Sequence, residues 1–227
     1  MNKSSRIYWL PSIMLLATIF LTRTLANAQT EFPPPQGKGP VVVVISGQMG
    51  ANADWPMAKQ IAAMGYDAVL LDGNNMEGDK GQSLHNQIMQ AQQAQHGMPG
   101  KVAVAGFSLG GGLALFYASH WPDLVNGIVA WYPLTTPIKD APKFVSTVKV
   151  PILMFAGVQD TYKSCCLIAT AQAIAAAATQ ANAPITVVTY PNAQHDFITE
   201  GEHYDPADST DSWQRATAAL AGYFKQQ

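Results

Sequence analysis

A glycine-rich turn between an apolar strand and an apolar helix constrains this chain more than any other feature. The stretch 101–108 reads KVAVAGFS and continues directly into LGGGLALFYA. Gly106, Ser108 and Gly110 form a GxSxG motif at this predicted strand-to-helix junction. Glycine lacks the Cβ that would clash where a strand and a helix approach closely, so the turn can present the serine hydroxyl away from the sheet. The motif predicts a nucleophile, whereas the alternative is an ordinary N-capping serine.

Patterns typical of strands and helices alternate along the rest of the chain. The first strand candidate, VVVVI, is a continuous β-branched run of the kind found in strands buried on both faces. Strands are predicted at 41–45, 67–71, 101–105, 127–132, 150–156 and 185–190. Helices are predicted at 53–64, 83–96, 109–120, 164–180 and 209–224. This alternation predicts an α/β fold with a mostly parallel sheet, helices on both faces, and ligands bound beyond the carboxyl ends of the strands.

A serine nucleophile needs a histidine base, which in turn is oriented by a carboxylate. After a GxSxG turn of this type, the acid and then the histidine follow the serine along the chain. Asp160 follows the predicted strand 150–156, and His195 follows the predicted strand 185–190. Both residues are expected at the same sheet edge as Ser108. We therefore predict a catalytic triad of Ser108, Asp160 and His195.

Other acidic residues and histidines fit these roles less well. Asp72 precedes the serine, which is the wrong chain order. Asp196 adjoins His195, so its side chain is expected to diverge from the imidazole. His203 lies in a polar segment rather than at a strand exit. The remaining candidates fall in turns or on helices: Asp123, Asp140, His85, His96 and His120.

Two backbone amides are expected to hold the oxyanion. One is the amide of Leu109, at the positive end of the helix that follows the serine. The other comes from the loop ISGQMGAN after the first predicted strand, where Gln48 is favoured over Met49, unless the loop glycines only form a turn. Met49, with Trp131 and Tyr162 near strand ends, is expected to line the substrate pocket, although such aromatic side chains more often pack in a core or at a rim.

The N-terminal segment has the pattern of a secretory signal peptide. Lys3 and Arg6 precede the uncharged run 7–22, and the small residues 26–28 supply a cleavage site. The run is shorter than the roughly 18 to 20 residues that span a bilayer, so a permanent anchor is the less favoured alternative. We expect cleavage after Ala28 and a secreted or periplasmic protein. The predicted organisation is a signal peptide at 1–28, a Pro/Gly-rich linker at 29–40 and one α/β domain at 41–227.

The charge of the mature chain argues against a nucleic-acid partner. Cleavage after Ala28 lowers the number of basic residues from 13 to 10 and keeps all 15 acidic residues, which leaves a formal charge of −5. Phosphate neutralisation requires concentrated lysine and arginine, and this chain has no such cluster.

The two cysteines, Cys165 and Cys166, are adjacent in a chain that is expected to reach an oxidising compartment. Three states remain open for them: a bond to each other, burial as two small apolar side chains, or a crosslink to another chain. Metal binding is not expected, because no CxxC-type ligand set surrounds them.

The sequence resembles the dienelactone hydrolase family of α/β-hydrolases over most of the mature chain. The similarity is carried by residues 101–133, by the strand that leads into AGVQD, and above all by YPNAQHDF followed by YDPADSTDSWQRATAALAGYF. The resemblance implies a compact core of the eight-stranded α/β-hydrolase type with little or no lid. It also implies hydrolysis through an acyl-enzyme without a metal or organic cofactor.

The chain departs from the family pattern at two positions. Characterised dienelactone hydrolases carry a cysteine nucleophile where this chain has Ser108, and an acidic residue in the first loop where it has Gly47. The two departures are consistent with each other. An acidic neighbour can control the protonation of a cysteine thiol and its base, and a serine nucleophile does not need such a neighbour. Arg215, the one arginine left after cleavage, is placed by the resemblance in a packing role, so a lysine would have to bind the carboxylate of a dienelactone.

These residues predict a secreted serine esterase that cleaves small uncharged or weakly charged esters or lactones. Its expected partner is a small-molecule ester, with no nucleic acid and no stable membrane anchor. The alternatives are an acyltransferase or peptidase with the same triad, or a non-catalytic binding protein on the same fold.

Overall fold

A seven-stranded sheet forms the centre of the computed structural model, which describes residues 29–225. The strands are β1 (Thr30–Phe32), β2 (Val41–Ile45), β3 (Asp67–Leu71), β4 (Val102–Phe107), β5 (Val125–Trp131), β6 (Ile152–Gly157) and β7 (Ile185–Tyr190). Their spatial order is β1-β3-β2-β4-β5-β6-β7, with β1 antiparallel to β3 and every other neighbouring pair parallel. The predicted α/β class is confirmed, with seven strands in this range instead of the eight that the resemblance implied. The predicted signal peptide lies outside the described residues.

Within residues 29–225, six α-helices cover the two faces of the sheet. They are α1 (Trp55–Ala63), α2 (Gln82–Ala91), α3 (Leu109–Phe116), α4 (Ala141–Thr147), α5 (Ile168–Ala181) and α6 (Pro206–Phe224). Helices α2 to α5 pack on one face, and α1 and α6 pack on the other. Strand β2 contributes to the hydrophobic core on each face. Val41, Val43 and Ile45 pack under α2 to α5, whereas Val42 and Val44 pack under α1 and α6. Successive side chains of a strand alternate between faces, so an unbroken apolar run must be covered twice.

The predicted linker at 29–40 is wrong in its first part, because Thr30–Phe32 forms the edge strand β1. Glu31 pairs opposite Val69, and the Phe32 ring packs edge-on against Trp55 with ring centroids 5.7 Å apart. The strand ends where Pro33 begins a run of prolines, which cannot donate to a sheet ladder.

Helix α4 was not predicted from the sequence. Its seven residues are too few to show a clear helical period, and Pro142 suggests a loop. Proline is compatible with the first turn of a helix, and the Asp140 side chain accepts a hydrogen bond from the Lys143 N–H at 2.9 Å. Within residues 29–225, none of the helices combines the length and the apolar character needed to cross a membrane.

Candidate active site

Ser108 lies at the tip of a tight turn between β4 and α3. Its backbone has φ 49° and ψ −111°, a conformation that side-chain-bearing residues rarely adopt. A Cβ on Gly106 would lie 2.6 Å from the carbonyl oxygen of Gly110, and a Cβ on Gly110 would lie 2.1 Å from that of Ile45. Both contacts are prohibitive, so the turn requires glycine at the two outer positions of the motif.

The structure brings Ser108, His195 and Asp160 into one hydrogen-bonded chain. Nε2 of His195 lies 3.0 Å from the Ser108 Oγ, and its Nδ1 lies 2.7 Å from Oδ2 of Asp160. The second oxygen of Asp160 accepts the N–H of Tyr162 at 3.1 Å. An ionised carboxylate only accepts, which assigns the imidazole proton to Nδ1 and leaves Nε2 free to accept the serine proton. All three residues are buried, at 8%, 3% and 2% exposure, so their contacts are shielded from water.

The topology of the sheet explains this convergence. Ser108 follows β4, Asp160 follows β6 and His195 follows β7, and these three strands are parallel members of one sheet. Their carboxyl ends therefore lie at the same edge.

Asp196 is placed differently from what the sequence suggested. Its Oδ1 lies 3.9 Å from Nε2 of His195, so the side chain does not diverge from the imidazole. The positive φ of Asp196, 60°, turns the backbone so that two successive side chains point to the same region. This distance is too long for a hydrogen bond.

Comparisons with known proteins identify the family of this chain. A sequence model of the dienelactone hydrolase family matches residues 73–224. The chain belongs to the dienelactone hydrolase family. Protein usf of Aquifex pyrophilus is 28% identical over 134 residues, which cover 58% of this chain and 55% of that protein. A Yersinia pestis protein named for carboxymethylenebutenolidase activity is 35% identical over 123 residues, which cover 51% of this chain and 44% of the relative.

A solved structure shows the same fold. The Klebsiella pneumoniae protein described as a dienelactone hydrolase superposes with a TM-score of 0.72 at 23% identity, covering 85% of this chain and 92% of that one. The sheet described above is therefore an α/β-hydrolase core. The chain spans about half the length of the curated relatives that it matches.

The two predicted oxyanion donors lie on either side of Ser108 in this dienelactone hydrolase family member. The Leu109 amide begins α3, and the loop that carries Gln48 lines the cavities beside the serine. Within residues 29–225, neither amide donates to another protein group. The Gln48 side-chain amide donates to the Tyr162 hydroxyl at 2.6 Å, and the backbone carbonyl of Gln48 accepts from the Asn74 side-chain amide at 3.2 Å. These bonds hold the loop, while the oxyanion role itself stays a prediction.

Two small cavities meet at Ser108. The first has a volume of about 90 Å³, and its lining includes Met49, Asp54, Tyr132, Tyr162, His195 and Asp196. The second, of about 210 Å³, is lined by Gln48, Leu109, Leu134, Lys163 and Cys165 among others. The sequence-based placement of Met49 and Tyr162 beside the serine agrees with this lining. A larger groove of about 680 Å³ between α1 and α6 contains no member of the Ser108, His195 and Asp160 chain.

Trp131 does not line either cavity, so its predicted pocket position is wrong. Its side chain is fully buried, with its ring 5.0 Å from that of Phe107 and 4.7 Å from that of Trp213. The indole N–H donates to the Ser212 hydroxyl at 3.2 Å. The residue ends β5 but points to the face covered by α6, and sequence position alone does not distinguish that face from the sheet edge.

Two tyrosine rings enclose the imidazole of His195. Tyr162 stacks on it with centroids 4.5 Å apart and an interplanar angle of 12°, and the Tyr132 ring lies 4.8 Å away at 59°. These contacts restrict the histidine to one orientation and exclude water from around it.

Asp54 is a site residue that the sequence analysis missed. Its Oδ2 accepts the N–H of Gly47 at 2.8 Å, and the residue is 7% exposed. Burial, aided by the charges of Asp196 and Asp72, raises the pKa of Asp54 to about 6, against the effect of the Gly47 hydrogen bond. Gly47 stands where the resemblance implies an acidic residue, but Asp54 places a carboxyl group beside the same loop after β2. No local motif marks Asp54, which precedes α1 and reaches the site only through the fold.

Cys165 and Cys166 form a disulfide with each other in this structure, with Cα atoms 3.8 Å apart. The bond lies at the active site, because a sulfur of each cysteine and a ring nitrogen of His195 lie within 4.8 Å of one another. The carbonyl of Cys165 accepts the backbone N–H groups of Thr135 and Thr136, each at 2.9 Å. The disulfide thus forms a fixed part of the wall around His195.

Proposed function

We propose that this family member is a serine esterase that cleaves small uncharged esters or lactones. The observation that carries the proposal is the chain of contacts from Ser108 through His195 to Asp160, at 3.0 and 2.7 Å. Nucleophile, base and orienting carboxylate are the three parts that acyl transfer to a serine requires. The carboxymethylenebutenolidase names of several relatives agree with cleavage of an ester-type bond.

In the proposed first step, the Ser108 Oγ attacks the ester carbonyl carbon while Nε2 of His195 takes the hydroxyl proton. Asp160 stabilises the imidazolium, and the amides of Leu109 and Gln48 donate to the oxyanion. Collapse of the intermediate breaks the bond to the alcohol oxygen, which receives the proton from Nε2. In the second step water attacks the acyl-enzyme carbonyl carbon and gives a proton to Nε2. The bond to the Ser108 Oγ then breaks, Oγ takes the proton back from Nε2, and the acid is released.

The charges around the site favour substrates without a carboxylate. Asp54 and Asp196 line the smaller cavity, and Asp160 lies directly behind the histidine. Lys163 is the one lysine or arginine in the lining of the two cavities. Arg215 is engaged elsewhere, in a 2.6 Å contact with Asp211 on α6. An anionic ester would therefore meet a mainly negative surface.

The test is the Ser108→Ala variant, assayed on chromogenic esters of graded acyl length. We expect kcat/KM to fall by about 10⁴-fold or more with an unchanged circular dichroism spectrum. A serine-directed phosphonate should add one mass increment at Ser108 in the wild type and none in the variant. Ser146→Ala, which alters an exposed serine on α4, is the matched control. Retained hydrolysis by Ser108→Ala, or labelling at another serine, would refute the assignment.

We also propose that the protein is exported. The signal-peptide pattern and the Cys165–Cys166 disulfide both suit an oxidising compartment. Intact-mass analysis of the protein from the medium or periplasm should give a chain that begins at Gln29. A full-length mass in the cytoplasmic fraction alone would contradict export.

A further inference from the structure

Three side chains with metal-binding groups converge at the end of the sheet opposite Ser108. Glu31 belongs to β1, Asp67 begins β3, and His96 lies in the loop after α2. One oxygen of each acid and one ring nitrogen of the histidine lie within 4.8 Å of one another. Strand β3 has five residues, so about 16 Å separates this cluster from the strand exits that carry the proposed active site.

No donor group among the described residues hydrogen-bonds the Asp67 side chain, which instead faces the carboxylate of Glu31. The residue is fully buried, and among the described residues nothing donates a hydrogen bond to either carboxylate oxygen. The nearby Glu31 adds a second acid, while Lys38 is exposed and lies outside ion-pair distance of both carboxylates. Two facing carboxylates, one of them fully buried, repel each other unless a shared proton or a cation compensates their charge.

The backbone holds the three residues in place. The Asp67 N–H donates to the carbonyl of Pro40 at 3.0 Å, and the Gly39 N–H donates to the carbonyl of His96 at 3.0 Å. The His96 N–H donates to Oε1 of Glu31 at 2.8 Å. Backbone contacts thus hold the start of β3 and the segments around Gly39 and His96 together, and the His96 N–H also orients the Glu31 carboxylate.

We propose that Glu31, Asp67 and His96 bind one divalent transition-metal ion of the Zn²⁺ class. Two carboxylates balance the charge of the ion, and the imidazole favours Zn²⁺ over Mg²⁺ or Ca²⁺. Ligand atoms around Zn²⁺ lie roughly 3.4 Å from one another, given bonds of about 2.1 Å. The partly exposed side chains of Glu31 and His96 can reach this spacing by small rotations.

Binding changes one contact that is present without the ion. Nδ1 of His96 lies 2.8 Å from Oε1 of Glu31, and the metal takes the place of the proton that joins them. The side chains of His96 and Glu31 are 39% and 27% exposed, so water can reach an ion held there and complete its coordination. Because the cluster is remote from Ser108, the ion would crosslink β1 to β3 and to the loop after α2 and would take no part in ester cleavage.

The test uses the complete purified protein, stripped with EDTA and titrated with zinc sulfate at pH 7.5 without reductant. The absence of reductant keeps Cys165 and Cys166 in their disulfide and unable to bind metal. We expect one Zn²⁺ per chain by calorimetry. At a free Zn²⁺ concentration 100-fold above Kd, Tm should rise by about 5 to 10 °C.

Three variants assign the site. His96→Gln and Asp67→Asn should each weaken Zn²⁺ binding at least tenfold and abolish the Tm shift, whereas His120→Gln, at a histidine outside the cluster, should bind like the wild type. His96→Gln decides the outcome if the buried Asp67→Asn variant fails to fold. The proposal is overturned if the wild type binds no Zn²⁺, which would leave a proton shared between Asp67 and Glu31, or if His96→Gln binds as tightly as the wild type.

Discussion

The backbone N–H of Gly47 donates to the carboxylate of Asp54 at 2.8 Å, and this bond brings a buried acid to the wall of the cavity beside Ser108. A Cβ on Gly47 would lie 3.4 Å from the Cβ of Ser108 and 3.9 Å from Oδ2 of Asp54. A Cβ at position 47 would therefore make ordinary contacts with Ser108 and Asp54, and the side-chain atoms beyond it would have to fit beside both residues.

Asp54 should make stability depend on pH. Its pKa rises from 3.8 to about 6 on folding, so the folded state binds this proton more tightly than the unfolded state does. The contribution of Asp54 is most favourable at low pH and declines as the pH rises from about 4 to 6. Above that range the ionised carboxylate costs about 3 kcal/mol. Asp54→Asn removes this dependence, and its amide oxygen can still accept from Gly47.

Urea unfolding of the wild type and Asp54→Asn at pH 4.5, 6 and 7.5 measures the effect. The variant should gain stability relative to the wild type as the pH increases. A difference between the two proteins that is constant across this range would show that the Asp54 carboxyl is not perturbed.

Tyr162→Phe isolates the hydrogen bond between Tyr162 and Gln48. The phenylalanine keeps the ring stacked on His195 but loses the 2.6 Å contact that holds the first loop. One such bond contributes about 1 kcal/mol, so we expect kcat to fall about fivefold with little change in KM. The same assay on Tyr204→Phe, at an exposed tyrosine, provides the control. Wild-type kcat in Tyr162→Phe would exclude a role for this bond in placing Gln48.

Gly110→Ala and Gly222→Ala should have opposite effects on stability. The Gly110 substitution drives a Cβ to 2.1 Å from a backbone oxygen of Ile45, and a contact of that kind costs about 3 kcal/mol or more. At Gly222, in the last turns of α6, no atom lies within 4 Å of the added Cβ, so alanine should raise Tm by about 2 °C. Thermal unfolding measures both, and equal Tm values would contradict the close approach at the GxSxG turn.

Removal of the Cys165–Cys166 bond should alter substrate binding more than stability. A bond between neighbours closes the smallest possible loop, so Cys165→Ala/Cys166→Ala should lower Tm by less than about 2 °C. Cys165 also lines the cavity of about 210 Å³ beside Ser108, and we expect KM to rise about threefold without the disulfide. Treatment of the wild type with a thiol reductant should reproduce this KM and should leave the variant unchanged. An identical KM in all four samples would show that the disulfide has no part in binding.

The sequence predicts those parts of the fold that local patterns determine. The bounds of β2, β3 and β7 agree with the predicted strands, because each is a β-branched or aliphatic run between breaking residues. Helix α2 ends at Ala91 instead of 96, since the chain turns there to bring His96 back to Gly39. The spacing of apolar residues does not show where the chain leaves a helix to make such a contact.

The residues of the candidate site divide in the same way. Ser108, Asp160 and His195 follow buried strands, and parallel strands bring their exits together, so chain order was sufficient to predict their proximity. The places of Asp54 and Trp131 could not be predicted in this way, because they depend on the direction in which each side chain points in the packed fold. The pairing of β1 with β3 joins segments far apart in sequence, and the intervening prolines concealed it.

The smaller cavity beside Ser108, about 90 Å³, is well below the roughly 300 to 1,000 Å³ of pockets that enclose entire ligands. Only the atoms next to a scissile bond fit inside, and the rest of a substrate lies in the adjoining cavity of about 210 Å³ or in bulk solvent. Selectivity among esters should then follow the acidity of the departing alcohol more closely than its size or outline, and one preparation should turn over chemically unrelated compounds.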